Sequence, residues 1–235
     1  MKLRYCIRTC DARKEMASAL FDHLRDILPP KTQIDIINDY IGKSPITIFV
    51  SYLKEIVTKD MDFDYLVTLE DDAIVNDHLD YNLKSCQLLQ DEDVGCLQLS
   101  ISSLNDLKSQ NTFFDREYKL FHRNAQIHYS CGLVFSKALL LHFQDANIID
   151  EMINNKSVGT FDISMTKYCI DANMLCSLHY PALVASLPNV PSAMGNTYVP
   201  SDELFSKIWL NDKNNEEYRK WDSKLKVYRV FSVKY

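Results

Sequence analysis

Apolar and polar residues follow two alternating periods in the first third of the chain. Short apolar runs at 3–9, 33–38 and 64–69 have the composition of buried strands. Between them, residues 11–28 and 44–59 repeat apolar positions at helical spacing. Strands that alternate with helices in this way are typical of a parallel sheet covered by helices. The pattern therefore predicts an α/β fold.

The second half of the chain continues this pattern less regularly. The elements predicted there are helices over 77–90, 136–143 and 162–172, and strands over 94–101, 118–122, 127–135 and 179–187. Gly132 interrupts the strand over 127–135, which indicates either a bulge or a close approach of a ligand to the backbone. Residues 102–116 have little periodicity, and a loop of that length is usually functional or mobile.

A change of composition after residue 200 suggests a domain boundary. We expect a main domain over 1–200, with a first half at about 1–102 and a second half at about 103–200. The remaining residues, 201–235, predict a small appendage made of a helix, a polar linker and an edge strand.

Length and composition narrow the class of protein. A chain of 235 residues with 46% hydrophobic residues can bury a core within one large domain. Its five glycines and seven prolines argue against a disordered chain or a turn-rich sandwich. A net charge of −6 offers no basic footprint for nucleic acid, so a polynucleotide partner is not expected unless a local patch departs from this average. We therefore expect an ordinary soluble enzyme, whose oligomeric state the sequence leaves open.

The cysteines and the N-terminus bear on the cellular compartment. Seven cysteines without a Cys-x-x-Cys pair indicate reduced core residues, rather than a structural zinc site. The first residues lack the apolar core of a signal peptide, and no window reaches the ~20 apolar residues that a membrane span needs. The expectation is a cytoplasmic enzyme or a trimmed catalytic domain.

Three consecutive acids follow the third predicted strand. Glu70, Asp71 and Asp72 would repel one another unless a cation lay among them, so the economical explanation is a divalent metal ion. In an open α/β sheet, ligands bind beyond the carboxyl ends of the strands, where this triplet is expected. A solvated acidic turn would explain the same residues without a metal.

The motif Leu69-Glu70-Asp71-Asp72-Ala73 resembles the DxD-type motif of glycosyltransferases with the GT-A fold, and is most similar to glycosyltransferase family 25 and related small sugar transferases. The resemblance implies a Rossmann-like, mixed but mainly parallel sheet. It also implies that residues 1–200 are a catalytic domain, with a nucleotide-binding half at about 1–102 and an acceptor half at about 103–200. It also implies a Mn²⁺ or Mg²⁺ ion that holds the diphosphate of a nucleotide sugar. Asp72 would bind the metal directly, Glu70 would face the ribose or the metal's water shell, and Asp71 would support either. The first acid is Glu rather than Asp, which leaves its contact open.

Five further residues are assigned roles by the same resemblance. Thr9 and Arg13, in the first strand-to-helix turn, would contact the nucleotide, and Asp39 would bond the base or ribose. Asp162 resembles the acid near the acceptor that serves as general base in inverting enzymes, and His179, at the start of the last predicted strand, would be a third metal ligand.

Three of these residues also have a purely structural explanation. Arg13 suits an exposed first helical turn, Asp39 suits an ordinary turn, and Asp162 suits a helix N-cap.

The function these signals predict is transfer of a sugar from a nucleotide diphosphate sugar, with UDP favoured, to a glycan or protein-linked acceptor. One alternative is a divalent-metal phosphoryl-transfer enzyme or hydrolase. Against it, the sequence has no P-loop, and Cys10-Asp11-Ala12 does not fit the first-strand nucleophile of haloacid-type phosphatases. Another alternative is a non-catalytic domain that binds nucleotides or sugars.

Overall fold

Strands and helices alternate in the computed structural model, which describes residues 1–39, 45–100, 131–145, 147–150, 161–179 and 182–187. The helices of this part are α1 (Lys14–Ile27), α2 (Pro45–Lys59), α3 (Leu79–Ser85), α4 (Lys137–Asp145) and α5 (Phe161–Asp171). The strands are β1 (Leu3–Cys10), β2 (Gln33–Asp39), β3 (Tyr65–Glu70), β4 (Ala73–Val75), β5 (Val94–Gln98), β6 (Gly132–Ser136), β7 (Leu175–Leu178) and β8 (Val184–Ser186). Single 3-10 turns occupy Asp11–Arg13 and Gln87–Gln90.

Six of these strands form one sheet, in the order β2-β1-β3-β6-β5-β7. Neighbours pair in parallel except at β6, which runs antiparallel to both β3 and β5. Strands β4 and β8 form a separate antiparallel pair. The predicted α/β fold with a mixed, mainly parallel sheet is therefore confirmed.

The sheet separates two hydrophobic clusters, and the two-residue period of its strands decides which side chain enters which cluster. Tyr5 and Ile7 of β1 pack with the apolar face of α1, whereas Cys6 between them packs with α2. In β3, Leu69 lies on the α1 side and Leu66 on the α2 side. Burial on both faces explains why these strands have continuous apolar runs.

Two predicted elements differ from those in the structure. The helix expected over 77–90 ends at Ser85, because Cys86 adopts an extended backbone, and a 3-10 turn follows. The single strand expected over 179–187 is wrong: β7 ends at Leu178 and β8 begins at Val184. Asn173 explains the early start of β7, since its positive φ of 56° ends α5 and redirects the chain.

Some predictions lie outside the described residues: the loop over 102–116, the strand over 118–122 and the appendage over 201–235. All seven cysteines are free, and all except Cys10 are buried. Among the described helices, none is both long enough and apolar enough to cross a lipid bilayer.

Candidate metal and nucleotide site

The acidic triplet lies at the carboxyl end of β3, in the middle of the sheet. Glu70 is the last residue of β3, and Asp71 and Asp72 form a turn into β4. The backbone of this turn is held from both sides. Glu70 N–H donates to the Cys131 carbonyl at 2.9 Å, and Leu187 N–H donates to the Asp72 carbonyl at 2.8 Å. The carboxylates are therefore presented from a fixed backbone.

Arginines from the neighbouring β1 segment balance part of the negative charge. Arg8 is the register partner of Glu70, and its Nη2 lies 3.2 Å from Glu70 Oε1. Arg13 Nη1 lies 2.9 Å from Asp71 Oδ1 and 3.3 Å from Asp72 Oδ2. The sequence argument treated the triplet as needing an external cation, but the fold supplies two guanidinium groups of its own.

Asp71 and Asp72 have different surroundings. Both Asp71 oxygens are engaged, because Thr9 Oγ1 donates to Oδ2 at 2.8 Å and Arg13 donates to Oδ1. Asp72 is 9% exposed, and its Oδ1 is buried without a hydrogen-bond partner among the described residues. An orphaned buried oxygen is costly unless something else contacts it. Asp72 is therefore the carboxylate best placed to contact a ligand.

The protonation of Asp72 reflects this environment. Burial raises its pKa from 3.8 to about 6, and the neighbouring Glu70 and Asp71 charges act in the same direction. Arg13 opposes the shift but does not overcome it. The ionised form of Asp72 is thus electrostatically unfavourable in the metal-free protein, and a bound cation would stabilise it.

We expect this shift to appear in the stability of the metal-free protein. Between pH 4 and 6 the folded state keeps a proton on Asp72 that the unfolded state releases, so the free energy of unfolding should fall as pH rises through this window. Urea denaturation in EDTA measures the free energy of unfolding of both proteins. From pH 4 to pH 6, the free energy of unfolding of Asp72→Asn should rise by about 2 kcal/mol relative to that of the wild type. If the difference in unfolding free energy between the two proteins did not change with pH, the raised pKa of Asp72 would be contradicted.

A thiol lies beside the carboxylates. Ligand atoms of Glu70, Asp72 and Cys131 all fall within 4.8 Å of one another. Cys131 is fully buried, which raises the pKa of its thiol well above the ordinary value, and the Glu70 and Asp72 charges add to the shift. The Ser186 side chain of β8 hydrogen-bonds to this sulfur. No sequence pattern points to this neighbour, since β6 follows β3 only after a long intervening segment.

Asp39 and His179 lie at the same edge of the sheet as the acidic triplet. Asp39 ends β2 and is the register partner of Cys10. His179 follows the end of β7, three places from β3 in the strand order. It does not join the group formed by Glu70, Asp72 and Cys131. Asp162 is the second residue of α5.

Hard carboxylate oxygens are the donors that Mg²⁺ and Mn²⁺ prefer. Glu70 and Asp72 supply such oxygens within 4.8 Å of each other, and Asp72 Oδ1 has no competing hydrogen bond among the described residues. These two side chains therefore fit a divalent cation.

Gly132 keeps β8 close to this site. A Cβ added at Gly132 would lie 2.9 Å from Val184 Cβ and Cγ2, closer than van der Waals contact allows. Packing of β8 against this position explains why a glycine is needed here. No ligand close to the backbone has to be invoked. The same packing also sets the position of Ser186, two residues after Val184.

We expect Gly132→Ala to destabilise the fold by about 1–3 kcal/mol, because the added methyl group overpacks the contact with Val184. Urea denaturation of Gly132→Ala, Val184→Gly and the double variant measures the coupling. The double variant should be more stable than the sum of the single effects predicts, by about 1 kcal/mol. Simple additivity would argue against the steric explanation.

Comparisons with known proteins give the fold. No protein-family model matches the sequence, and no curated protein matches it. A mutant Drosophila beta-1,4-galactosyltransferase 7, in complex with manganese, UDP-Gal and xylobiose, gives a TM-score of 0.52 at 14% identity, over 93% of this chain and 79% of that chain. The catalytic domain of the same enzyme with xylobiose gives 0.51 at 13%, over 93% and 80%. A glycosyltransferase involved in glycosylation of the major capsid of PBCV-1 gives 0.50 at 8%, over 80% and 94%.

These similar structures are glycosyltransferases of the GT-A type, and this chain shares their fold. At such low identity the likeness extends to the fold alone. It does not single out family 25, so that narrower resemblance stays a prediction.

Proposed function

We propose that this protein is a metal-dependent glycosyltransferase that moves a sugar from a nucleotide diphosphate sugar, with UDP favoured, to a glycan or protein-linked acceptor. The observation that carries the proposal is the position of Asp72 at the carboxyl end of the central strand of a GT-A fold. Its carboxylate is buried, and one of its oxygens has no hydrogen-bond partner among the described residues. The carboxyl end of the strands is where an open α/β sheet binds its ligands.

Glu70 and Asp72 are the proposed ligands of Mn²⁺ or Mg²⁺, supported by their proximity and their hard oxygen donors. When bound, the ion supplies charge neutralisation to the departing diphosphate. The proposed nucleotide contacts are Thr9, Arg13, Asp39 and Asp71. Arg13 suits this role because a guanidinium can donate two hydrogen bonds to a phosphate. His179 stays a prediction as a third metal ligand.

Asp162 is the proposed general base if the reaction inverts. Its carboxylate would take the proton of the acceptor hydroxyl while that oxygen attacks the anomeric carbon and the bond from this carbon to the diphosphate oxygen breaks. Asp162 is the second residue of α5 and so belongs to the first turn of that helix.

Ligand-linked thermal stabilisation tests the donor. A panel of nucleoside diphosphates and their sugars is measured with and without Mn²⁺. A UDP-sugar with Mn²⁺ at about 100 times its Kd should raise Tm by about 5–10 °C, and either component alone should raise it less. The same mixtures are then assayed for release of the nucleoside diphosphate with glycan acceptors present.

The outcomes separate the candidate functions. Binding that depends on the metal, followed by acceptor-dependent release of UDP, supports the transferase. Binding without turnover favours a non-catalytic nucleotide- or sugar-binding domain. Metal-dependent cleavage of a phosphate ester without transfer favours the phosphoryl-transfer or hydrolase alternative.

A further inference from the structure

Cys131 is held in the carboxylate cluster by the backbone of the central sheet. It directly precedes β6, the antiparallel neighbour of β3, and its carbonyl accepts the Glu70 N–H at 2.9 Å. Its side chain therefore emerges next to the end of β3, and no loop movement is needed to bring it there. Ser186, the register partner of Ala73, hydrogen-bonds to the sulfur.

The three side chains form a mixed donor set. Glu70 and Asp72 offer oxygen, Cys131 offers sulfur, and the donor atoms lie within 4.8 Å of one another. A separate observation also points to a ligand: Asp72 is nine-tenths buried, yet its Oδ1 has no hydrogen-bond partner in the described structure. An ion bound among these atoms would have two carboxylates and one sulfur nearby as candidate donors.

Donor softness decides which ion suits this set. Mg²⁺ and Mn²⁺ prefer oxygen and gain little from a thiol, whereas Zn²⁺ and Co²⁺ bind both carboxylate oxygen and cysteine sulfur. A site with three protein ligands also leaves a fourth position open for water or another ligand, as catalytic zinc sites do.

We propose that Glu70, Asp72 and Cys131 form a binding site for a thiophilic divalent cation of the zinc type. On binding, the S–H bond of Cys131 breaks, the sulfur bonds to the ion, and the proton passes to solvent. Because two ligands are shared, such an ion and Mn²⁺ exclude each other. This exclusion rests on the function proposed above, whereas the zinc-type site does not.

Cobalt is the spectroscopic probe, since a thiolate bound to Co²⁺ gives a charge-transfer band in the near ultraviolet. Wild-type protein with an equimolar amount of Co²⁺ should show this band, and added Zn²⁺ should remove it. Cys131→Ser should lose the band and bind Zn²⁺ at least ~10-fold more weakly. Its affinity for Mn²⁺, measured by the paramagnetic resonance signal of free Mn²⁺, should stay within about twofold of the wild-type value.

Cys10→Ser is the matched control. Cys10 is also a free thiol at the carboxyl end of a central strand, and it is more exposed than Cys131. This variant should keep the band. Asp72→Asn should weaken binding of both Co²⁺ and Mn²⁺. Cys131→Ala serves as a second variant if the serine side chain prevents folding, which circular dichroism reports.

The proposal is overturned if wild-type protein shows no band, or if the band survives in the folded Cys131 variants. The second result would place the sulfur ligand elsewhere, for example among the buried Cys96, Cys169 and Cys176. Neither result depends on sugar transfer, so failure of this site is distinguishable from failure of the proposed function.

Discussion

Asp72→Asn should lower metal-dependent sugar transfer by at least ~10³-fold, which corresponds to a loss of about 4 kcal/mol of transition-state stabilisation. The amide keeps the shape of the side chain but removes the charge that a divalent cation requires. The variant should also lose the Mn²⁺-linked rise in Tm, because the carboxylate of Asp72 is proposed to contact the ion through Oδ1, which has no hydrogen-bond partner within the described ranges. Steady-state kinetics and thermal shifts at several Mn²⁺ concentrations measure the two effects.

The same change should not unfold the protein. Burial and the charges of Glu70 and Asp71 already disfavour ionised Asp72, so the neutral amide should stabilise the metal-free fold at pH 7.5. Asp77→Asn is the matched control, since Asp77 is an exposed acid shortly after β4. It should leave activity and the Mn²⁺ response unchanged. If Asp72→Asn kept full activity, the assignment of Asp72 as a metal ligand would be wrong.

Asp162→Asn should reduce kcat by about 10²–10⁴-fold, the usual contribution of a positioned general base. Donor KM and the Mn²⁺-linked rise in Tm should change little, because a base for the acceptor hydroxyl does not hold the donor. The expected signature is therefore a selective loss of turnover. Initial rates over a grid of donor and acceptor concentrations measure it.

The alternative role of Asp162 is support of the start of α5. A carboxylate in a first helical turn stabilises the helix by about 0.3–1 kcal/mol through the helix dipole. If that is its role, the variant loses stability, and kcat and donor affinity fall together. Asp171→Asn, at the exposed C-terminal end of the same helix, is the control and should leave kcat unchanged.

Local patterns in the sequence were sufficient for the framework. The strand-to-helix alternation predicted β1 to β3 and their covering helices, and it predicted that Glu70, Asp71 and Asp72 follow a buried strand. The turn that carries Thr9 and Arg13 was also predicted beside the first helix. These features depend on backbone periods of two and 3.6 residues, which a short stretch of sequence already contains.

The charge balance of the site could not be predicted in the same way. From the sequence, only repulsion among the three carboxylates is expected. In the structure, Arg8 of β1 and Arg13 of the turn that follows form ion pairs with them. Arg8 had a weak signal, since parallel strands end at one edge and their last residues become neighbours. Side-chain geometry decides which carboxylate has an oxygen without a hydrogen-bond partner among the described residues. The spacing of residues in the sequence does not predict it.

The sequence by itself determined the α/β class, the central strand and the acids at its end. Only the tertiary structure decided that β6 enters the sheet antiparallel beside β3, which brings Cys131 to Glu70 and Asp72. It likewise decided that Val184 of β8 packs on Gly132. The physical reason is that secondary structure follows local backbone preferences, whereas the pairing of distant strands depends on how well their faces pack together.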